Sequence, residues 1–431
     1  MDYAFFVLAF NRGIRRIVDY YISHAFNPLS PISLTPLIIS CLLMTVFLTR
    51  FHQLMPPVKK IFYLFFAACT IGFTAGLVQN SFAAVFQLAE YLAFMGVMGF
   101  ASTSNVPPAI TDRWIKSAGW AAVGVVAYGW YQYYQPPPWD GYWMEQTGML
   151  GYLGTPEPTK IVVFSTMGER GPLASFLAAC AIPMILHKRW RNWGGWLTVA
   201  FILSVIPLTY VRTALIGVAL VVLLNPIVNR GRGVLAIALC ALLVFFGVRY
   251  GADKLPTSEA LLTRYQSLEN ITEDSSFQGR LEIANYGLQL VLSHPFGFGF
   301  GGTGMAGRVN TRTVSANAKF MDNGYFSLLL DFGWLGGGLF VIAIFLIWKE
   351  VSRRAREGNT DIYLQLARTW FIAMLVLQYV ANVYVGALLF WLFIGIALSS
   401  RNDPLVRRLL ARKAIEIQQE STRTRNAPVA A

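Results

Sequence analysis

Long apolar runs are the feature that most constrains how this chain can fold. The runs are roughly 17–25 residues long, enough for a helix to cross the hydrocarbon core of a bilayer. Short charged clusters separate them, and only 13% of the 431 residues are charged, against about a quarter in soluble domains. Within lipid the backbone must satisfy its own hydrogen bonds, so the runs are expected to be helices. The sequence therefore predicts an all-α, polytopic transmembrane helix bundle.

The apolar runs predict about eleven spans, with ten to twelve compatible with the pattern. We divide the chain into an amphipathic N-terminal segment at 1–33, a transmembrane domain at 34–400 and a basic tail at 401–431. The predicted spans are 34–50, 61–78, 82–100, 117–134, 171–186, 193–210, 213–228, 233–250, 324–348, 366–384 and 387–400.

The first 27 residues are aromatic and amphipathic. Their apolar start, Tyr3–Phe10, is too short to span a bilayer, and Arg12, Arg15 and Arg16 follow it. We interpret this segment as a helix at the membrane interface. It lacks the pattern of a cleavable signal, in which a basic flank precedes an apolar stretch and a small-residue cleavage site.

The basic residues predict the orientation. The net charge is +13, and 21 of the 35 Lys and Arg residues fall in loops that share one side of the predicted topology, together with the tail. That side is predicted to be cytoplasmic, because Lys and Arg accumulate on cytoplasmic loops. Loops 135–170 and 251–323 then face outward, and such long loops are usually functional. Arg12–Arg16 would also lie outside, which implies either a missed twelfth span or a role for these arginines.

Several classes of protein are disfavoured by composition. The four cysteines, Cys41, Cys69, Cys180 and Cys240, lie within apolar runs and resemble small core side chains more than a disulfide framework. The four histidines are scattered without a metal-binding spacing, so no metal or other cofactor is predicted. The basic residues form no stripe interleaved with aromatic residues, so a nucleic-acid partner is not expected.

Two arginines of the transmembrane domain are candidates for binding an anion. Arg212 lies between two apolar runs near the predicted outer surface, where an arginine usually has a partner. It fits either a bidentate phosphate contact or a side chain that reaches the lipid head groups. Arg280 begins a stretch with helical periodicity in the second outer loop, with Glu282 two residues later. The alternative for Arg280 is a solvated helix start.

The segment 293–304 is rich in glycine and aromatic residues. It contains GxGxxG from Gly299 to Gly304, but no βαβ unit surrounds it, so a dinucleotide site is rejected. The glycines permit a close approach to a neighbouring backbone or to an anion, and a plain flexible loop is the alternative. His294 precedes a proline, which favours a structural role.

Asp322 and Asn323 stand where the second outer loop re-enters the membrane. A carboxylate at an apolar boundary can have a raised pKa and act as a general base. The alternative is that Asp322 caps the helix that follows. Glu282 is the next carboxylate to consider as a base.

In chain order, a series of short motifs resembles the O-antigen ligase/polymerase superfamily, and more narrowly the Wzy-type polymerases of exopolysaccharides. The resemblance covers roughly 160–340, and it depends on the order of the motifs and on the long loop between the arginines and the Asp-Asn pair. The matching motifs are Phe164–Met167, Gly171–Ala174, Val211–Ala214, Gly279-Arg280, His294–Gly299, Asp322–Tyr325 and Gly333–Gly336.

The resemblance implies glycosyl transfer on the outer face of the bacterial inner membrane, without a metal. The donor would be an undecaprenyl-diphosphate-linked oligosaccharide, whose diphosphate Arg212 and Arg280 would hold. We place Arg170, Asn323 and His294 with them as substrate-binding residues, and Asp322 and Glu282 as catalytic residues. Membrane lipids and the chain-length regulator and flippase of the same pathway are the implied partners.

Two other functions are alternatives to the polymerase. Ligases of this superfamily place a histidine before the asparagine, and this chain has Asp322 there, which favours a polymerase over a ligase that transfers a lipid-linked glycan to an acceptor. A flippase or transporter would typically show internal repeats and mid-membrane charges. No repeat is evident, and Glu90 is the clearest ionisable residue within a span.

Overall fold

The structure is a computed structural model of the full chain and describes residues 2–25, 30–191, 193–229, 275–303, 323–358, 361–379, 387–406 and 409. Within these ranges every regular element is a helix, and the only β-type pairing is an isolated bridge between Gly154 and Ile161. The predicted all-α class is confirmed. Long apolar helices account for it, since each satisfies its own backbone within lipid.

Fourteen α-helices lie in the described ranges. They are α1 Asp2–Val18, α2 Pro31–Thr49, α3 Pro56–Asn80, α4 Phe82–Thr103, α5 Pro108–Tyr134, α6 Pro138–Gln146, α7 Leu150–Leu153, α8 Arg170–Leu186, α9 Trp196–Ser204, α10 Arg212–Asn229, α11 Ser275–Ser293, α12 Gly324–Glu357, α13 Ile362–Leu377 and α14 Leu388–Leu398.

The predicted spans that fall on described residues overlap these helices, although α5 begins nine residues before its predicted span, α12 continues nine residues beyond its span and α13 ends seven residues before the end of its span. Helices α2, α3, α4 and α12 are long and apolar enough to cross a membrane, and five shorter apolar helices accompany them in the described ranges. The predicted span 193–210 is divided into α9 and a 3-10 turn at Pro207–Thr209, because the proline cannot continue the hydrogen bonding of α9. The predicted span 233–250 lies outside the described residues.

The cysteines only partly follow the prediction. Cys69 and Cys180 are buried among the helices, as expected for small apolar side chains. Cys41 is exposed instead, because it lies on α2, whose surface is mostly exposed in the described structure. Cys240 lies outside the described residues.

The basic loops meet at one end of the bundle, which we call the basic end. There Asp112 of α5 accepts a hydrogen bond from Arg189 at 2.5 Å and another from the Tyr363 hydroxyl at 2.6 Å. Arg353 of α12 contacts Asp403, which follows α14, at 2.7 Å. The loops around the starts of α5 and α13 and the ends of α8, α12 and α14 therefore share one side, as the sequence predicted. The side of the membrane on which they lie stays a prediction.

The N-terminal helix α1 is not the interfacial helix that its sequence predicted. It runs parallel to α5: Asp2 contacts Arg113 at 2.9 Å at the basic end, and Arg16 lies near the Tyr128 ring at the opposite end. Its 17 residues extend over about 25 Å. Arg15 and Arg16 are buried against protein partners, whereas Arg12 and Tyr3 are exposed. Two of its charged groups therefore point inward, as is typical of helices that face lipid.

The glycine-rich segment 294–303 packs tightly against α3, so the close-approach interpretation is confirmed and the flexible-loop alternative is wrong. The backbone amide of Phe300 donates to Gly72 at 2.9 Å, and the Asn80 amide donates to the Phe300 carbonyl at 2.8 Å. Gly299 has a φ of 69° and leaves no room for a side chain against the backbone of Gly76. Only glycine combines this backbone conformation with such proximity.

A buried carboxylate holds the same segment from the other side. Asp331 of α12 accepts hydrogen bonds from Thr303 at 2.5 Å, from Gln87 at 2.6 Å and from the Tyr91 hydroxyl at 3.0 Å. The backbone amide of Gly301 in turn donates to Gln87. A non-helical segment within a helix bundle needs such internal partners for its polar groups.

The contact between α3 and this segment generates a stability prediction. We expect Gly76→Ala to destabilise the protein by about 1–3 kcal/mol, because the new methyl group would meet the backbone of Phe300. Gly338→Ala is the matched control: it also lies inside a long apolar helix, but nothing described lies within 4 Å of the added carbon. The measurement is thermal unfolding of the purified proteins in detergent. Equal stability of the two variants would contradict the tight packing.

The shared location of the basic loops generates a topology prediction. We expect Thr155→Cys in the first outer loop to react with a membrane-impermeant maleimide in spheroplasts, and Lys188→Cys at the basic end to react only after permeabilisation. Both side chains are exposed, so accessibility reports the side of the membrane. Both substitutions are made in a background in which Cys41 is replaced by serine. The reverse labelling pattern would invert the orientation and exclude an outer-face reaction.

Candidate functional site

Two of the predicted anion-binding arginines begin neighbouring helices at the end opposite the basic end. Arg170 is the first residue of α8, and Arg212 is the first residue of α10. The two helices pack against each other. Their N-termini carry unsatisfied backbone N–H groups and partial positive charge, which favour a bound anion. The structure thus brings both guanidinium groups to the outer-loop end of the bundle.

The surroundings of these two arginines differ. The Arg170 guanidinium lies 3.9 Å from the centroid of the Tyr152 ring, a cation–π contact that orients it within the first outer loop. Arg212 lies two residues after Tyr210. The left-handed backbone of Tyr210, with a φ of 58°, turns the chain into α10. Both arginines are partly exposed, so their charges are accessible to a ligand.

A buried ion pair links the N-terminal helix to the first outer loop. Arg16 of α1 contacts the carboxylate of Asp140 on α6 at 2.8 Å and donates to the backbone carbonyl of Ser165. Asp140 also accepts from Gln132 at 2.5 Å and from the Tyr128 hydroxyl at 3.0 Å. Both charged side chains are almost completely buried. Removing one partner of such a pair typically costs about 3–5 kcal/mol, because the other charge is left unpaired.

Aromatic rings enclose this ion pair. The Arg16 guanidinium lies 4.8 Å from the Phe164 ring centroid and 5.8 Å from that of Trp143. Burial raises the pKa of Asp140, and the positive charge of Arg16 together with the two hydrogen bonds to Asp140 opposes the rise. The pair thus fixes the loop 135–170 on α1 without exposing either charge to solvent.

The turn at Ser165–Met167 places Arg170. The amide carbonyl of Gln132 accepts from the backbone amide of Ser165 at 2.8 Å, and the Thr166 hydroxyl donates to Ala9 of α1 at 2.6 Å. Arg12 donates to the carbonyl of Met167 at 3.3 Å. The turn is therefore held by α1 and α5 three residues before α8 begins. Arg170 therefore begins α8 directly after a turn whose backbone is held in place.

Asn323 is the N-cap of α12. Its side-chain oxygen accepts hydrogen bonds from the backbone amides of Tyr325 at 3.0 Å and Phe326 at 3.2 Å. The alternative interpretation of Asp322 as the cap of this helix is therefore wrong, because the cap position is one residue later. A substrate contact by Asn323 stays a prediction, and the Asp322 side chain lies outside the described residues.

The remaining predicted residues are distributed along α11 and its end. Glu282 is exposed on α11, and the side chain of Arg280 lies outside the described residues. The ring nitrogen Nδ1 of His294 lies 2.9 Å from the Ser293 hydroxyl and 3.0 Å from the Leu290 carbonyl. These contacts hold the exposed ring at the end of α11, which agrees with the structural interpretation of His294. No described contact joins it to Arg170 or Arg212.

Sequence reasoning did not assign the residues that organise this end. One sequence signal pointed to Arg16. It lies on the predicted outer side, although basic residues accumulate in cytoplasmic loops, and this position suggested that its charge has a partner. Asp140 had no comparable signal, because a single acidic residue in a polar loop is ordinary, and Gln132 is an uncharged residue near the end of a predicted span. Asp331 interrupts the run Leu328–Leu330, and a carboxylate inside a span usually has an internal partner.

The chemistry of the described residues favours an anionic ligand at this end. Guanidinium groups and helix N-termini supply hydrogen-bond donors and positive charge. Among the described residues, no three His, Cys, Asp or Glu side chains come together as metal ligands would. The arrangement therefore places the guanidinium groups of Arg170 and Arg212 at helix N-termini at one end of the bundle.

Comparison with known proteins agrees with this arrangement. A search of curated proteins finds no match to the chain. Residues 197–341 match the family model described as O-antigen ligase, and this stretch contains Arg212, Arg280 and the Asp322-Asn323 pair. Proteins of this family are glycosyl-transferring membrane enzymes. The match confirms the resemblance of this chain to the O-antigen ligase/polymerase superfamily.

Proposed function

We propose that this protein polymerises undecaprenyl-diphosphate-linked oligosaccharide repeat units in exopolysaccharide or O-antigen biosynthesis. The reaction takes place at the outer face of the bacterial inner membrane and needs no metal. The observation that carries the proposal is the O-antigen ligase match at 197–341, which contains Arg212 as the first residue of α10. Arg170 begins the adjacent helix at the same end.

Binding of the donor diphosphate is the task of the arginines. A diphosphate leaving group concentrates negative charge, and preorganised cations stabilise that charge as it develops. Guanidinium groups suit it because each can donate two parallel hydrogen bonds to phosphate oxygens. Arg170 and Arg212 have helix N-termini behind them, and Arg280 joins them from α11 in this proposal.

The transfer itself is a single displacement. The acceptor sugar hydroxyl oxygen forms a bond to C1 of the donor sugar while the bond from C1 to the diphosphate oxygen breaks. Asp322 takes the hydroxyl proton, and undecaprenyl diphosphate leaves with the electron pair. Asn323, the next residue in the chain, caps α12. Glu282 is the second carboxylate considered for the base.

The ligase alternative shares the donor and differs in the acceptor. A ligase would move a finished glycan to lipid A core or protein, whereas a polymerase joins repeat units while they remain lipid-linked. Asp322 in place of the histidine of ligases supports the polymerase. The intermediates that accumulate in a deletion strain separate them: single lipid-linked repeat units for a polymerase, and long lipid-linked chains for a ligase.

The proposed diphosphate contact generates a prediction for Arg212. We expect Arg212→Ala to lower polymer synthesis about 10²–10³-fold at normal expression, because a preorganised donor to the developing charge is lost. Arg212→Lys should restore little activity, since lysine lacks the bidentate fork. The measurement is the chain-extension rate of the purified enzyme with lipid-linked repeat units.

Lys160→Ala is the matched control for Arg212. It removes an exposed cation from the first outer loop, where Lys160 contacts Glu157 at 2.7 Å. Such exposed pairs contribute about 0–1 kcal/mol, so activity and stability should remain near those of the wild type. Full activity of Arg212→Lys would contradict the bidentate contact, and so would an equal loss of activity in Lys160→Ala. Either outcome would mean that activity depends on surface charge and not on a bidentate contact.

The general-base role generates a prediction for Asp322. We expect Asp322→Asn to lower the rate at least about 10²-fold without changing expression or thermal stability, because asparagine is nearly isosteric but cannot accept the proton. The matched control is Asp361→Asn at the basic end, which should keep wild-type activity, because asparagine can still accept from the amides of Tyr363 and Leu364 at the start of α13. Wild-type turnover by Asp322→Asn would remove Asp322 from the mechanism and make Glu282 the next residue to replace.

A further inference from the structure

An open surface depression that carries several charged side chains, which we call the cavity, lies at the basic end, far from the arginines that begin α8 and α10. It has a volume of about 530 Å³ and lies between the start of α5 and the loop after α8. Its charged lining residues are Asp112, Arg113, Lys116 and Arg189. The proposed transfer reaction uses none of them.

The charges around this cavity leave one cation without a compensating carboxylate. Arg113 contacts Asp2 at 2.9 Å, and Arg189 contacts Asp112 at 2.5 Å. Lys116 is exposed and forms no ion pair with any residue in the described part of the chain. The three cations therefore exceed the two carboxylates by one charge, and the two guanidinium groups are 65% and 48% exposed. A monoanion would balance the cavity.

An apolar groove continues from the cavity along the membrane-facing surface. It has a volume of about 540 Å³, and its apolar lining residues are Trp120, Val123, Trp193, Leu197 and Phe201. Trp120 lines both the cavity and the groove, so the two are contiguous. Leu197 is 80% exposed and Trp193 is 95% exposed in the described structure.

The dimensions of the two cavities match one leaflet of a bilayer. Arg113, Lys116, Trp120 and Val123 are spaced three or four residues apart and line one face of α5. From Arg113 to Val123 the helix rises by about 15 Å. Half of a hydrocarbon core of about 30 Å has the same depth. The cationic part thus lies where head groups lie, and the apolar part extends where acyl chains lie.

We propose that this face, which we call the α5–α9 groove, binds one anionic phospholipid of the leaflet at the basic end. The phosphodiester lies by Lys116, Arg113 and Arg189, and an acyl chain lies along Trp120 and Phe201. The groove belongs to the predicted cytoplasmic leaflet, whose lipids are enriched in anionic head groups. The bound lipid ties α5 to α9 and to the loop after α8.

Two other occupants fit less well. A soluble anion would use the cationic cavity but leave the apolar groove beside it unfilled. The chain's own segment 410–431 carries four basic and two acidic residues, so its net charge opposes binding to a cationic cavity. An anionic phospholipid satisfies both parts at once, because its charge and its apolar chains are joined at the distance that the groove provides.

The experiment is a lipid titration of the delipidated full-length protein in neutral detergent. Phosphatidylglycerol and phosphatidylcholine with identical acyl chains are added separately, and the first bound lipid is counted by native mass spectrometry. We expect phosphatidylglycerol to bind more tightly, and Lys116→Gln to weaken its binding about 5-fold while leaving phosphatidylcholine unaffected, as for the loss of one interfacial charge. Lys60→Gln, another exposed lysine at the basic end, should change neither.

A second pair of variants tests the apolar part. Leu197→Gln in the groove should weaken both phospholipids, whereas Leu42→Gln, an exposed leucine on α2, should not. Equal affinity for the two lipids, or equal effects of Lys116→Gln and Lys60→Gln, would overturn the proposal. Displacement of phosphatidylglycerol by millimolar inorganic phosphate would also overturn it, in favour of a site for a soluble anion. None of these outcomes depends on the glycosyl-transfer activity.

Discussion

The requirement that buried polar groups find partners inside the protein governs this structure. Within a bilayer no water satisfies them, so backbone groups form helices and each charged side chain needs a fixed neighbour. Arg16 meets Asp140 inside an aromatic enclosure, and Asp331 holds the non-helical segment 294–303 through Gln87, Tyr91 and Thr303. Both arrangements lock a non-transmembrane segment onto the helices and thereby shape the outer-loop end.

The two ends of the bundle differ in what their charges do. At the basic end, Asp112 pairs with Arg189 after α8 and Asp403 pairs with Arg353 of α12, and these pairs hold the helix ends together. At the opposite end, Arg170 and Arg212 begin helices and remain partly exposed. The paired cations at the basic end stabilise the fold, whereas the second group, Arg170 and Arg212, also leaves part of its surface accessible to a ligand. The proposed diphosphate contact belongs to this second group.

The N-terminal helix connects the fold to the proposed chemistry. Through Arg16 and Thr166 it fixes the turn that precedes Arg170, although α1 lies outside the stretch that matches the O-antigen ligase model. The family match therefore covers only part of the machinery. In this chain the first outer loop and α1 form a support for Arg170, while 197–341 contains the other proposed substrate contacts. The α5–α9 groove adds a lipid contact at the far end of the same helix α5.

The sequence by itself determined the helical class, the approximate positions of most apolar helices and the shared side of the basic loops, because each depends on local composition and on the length of an apolar run. The order of short motifs also indicated the superfamily. The pairing of Arg16 with Asp140, the cap at Asn323 and the packing of Gly299 on Gly76 were decided only by the tertiary structure. Two of these contacts join residues that are distant in the chain, and the observed cap lies one residue after the predicted one. No local pattern encodes which of several polar groups a buried charge will meet.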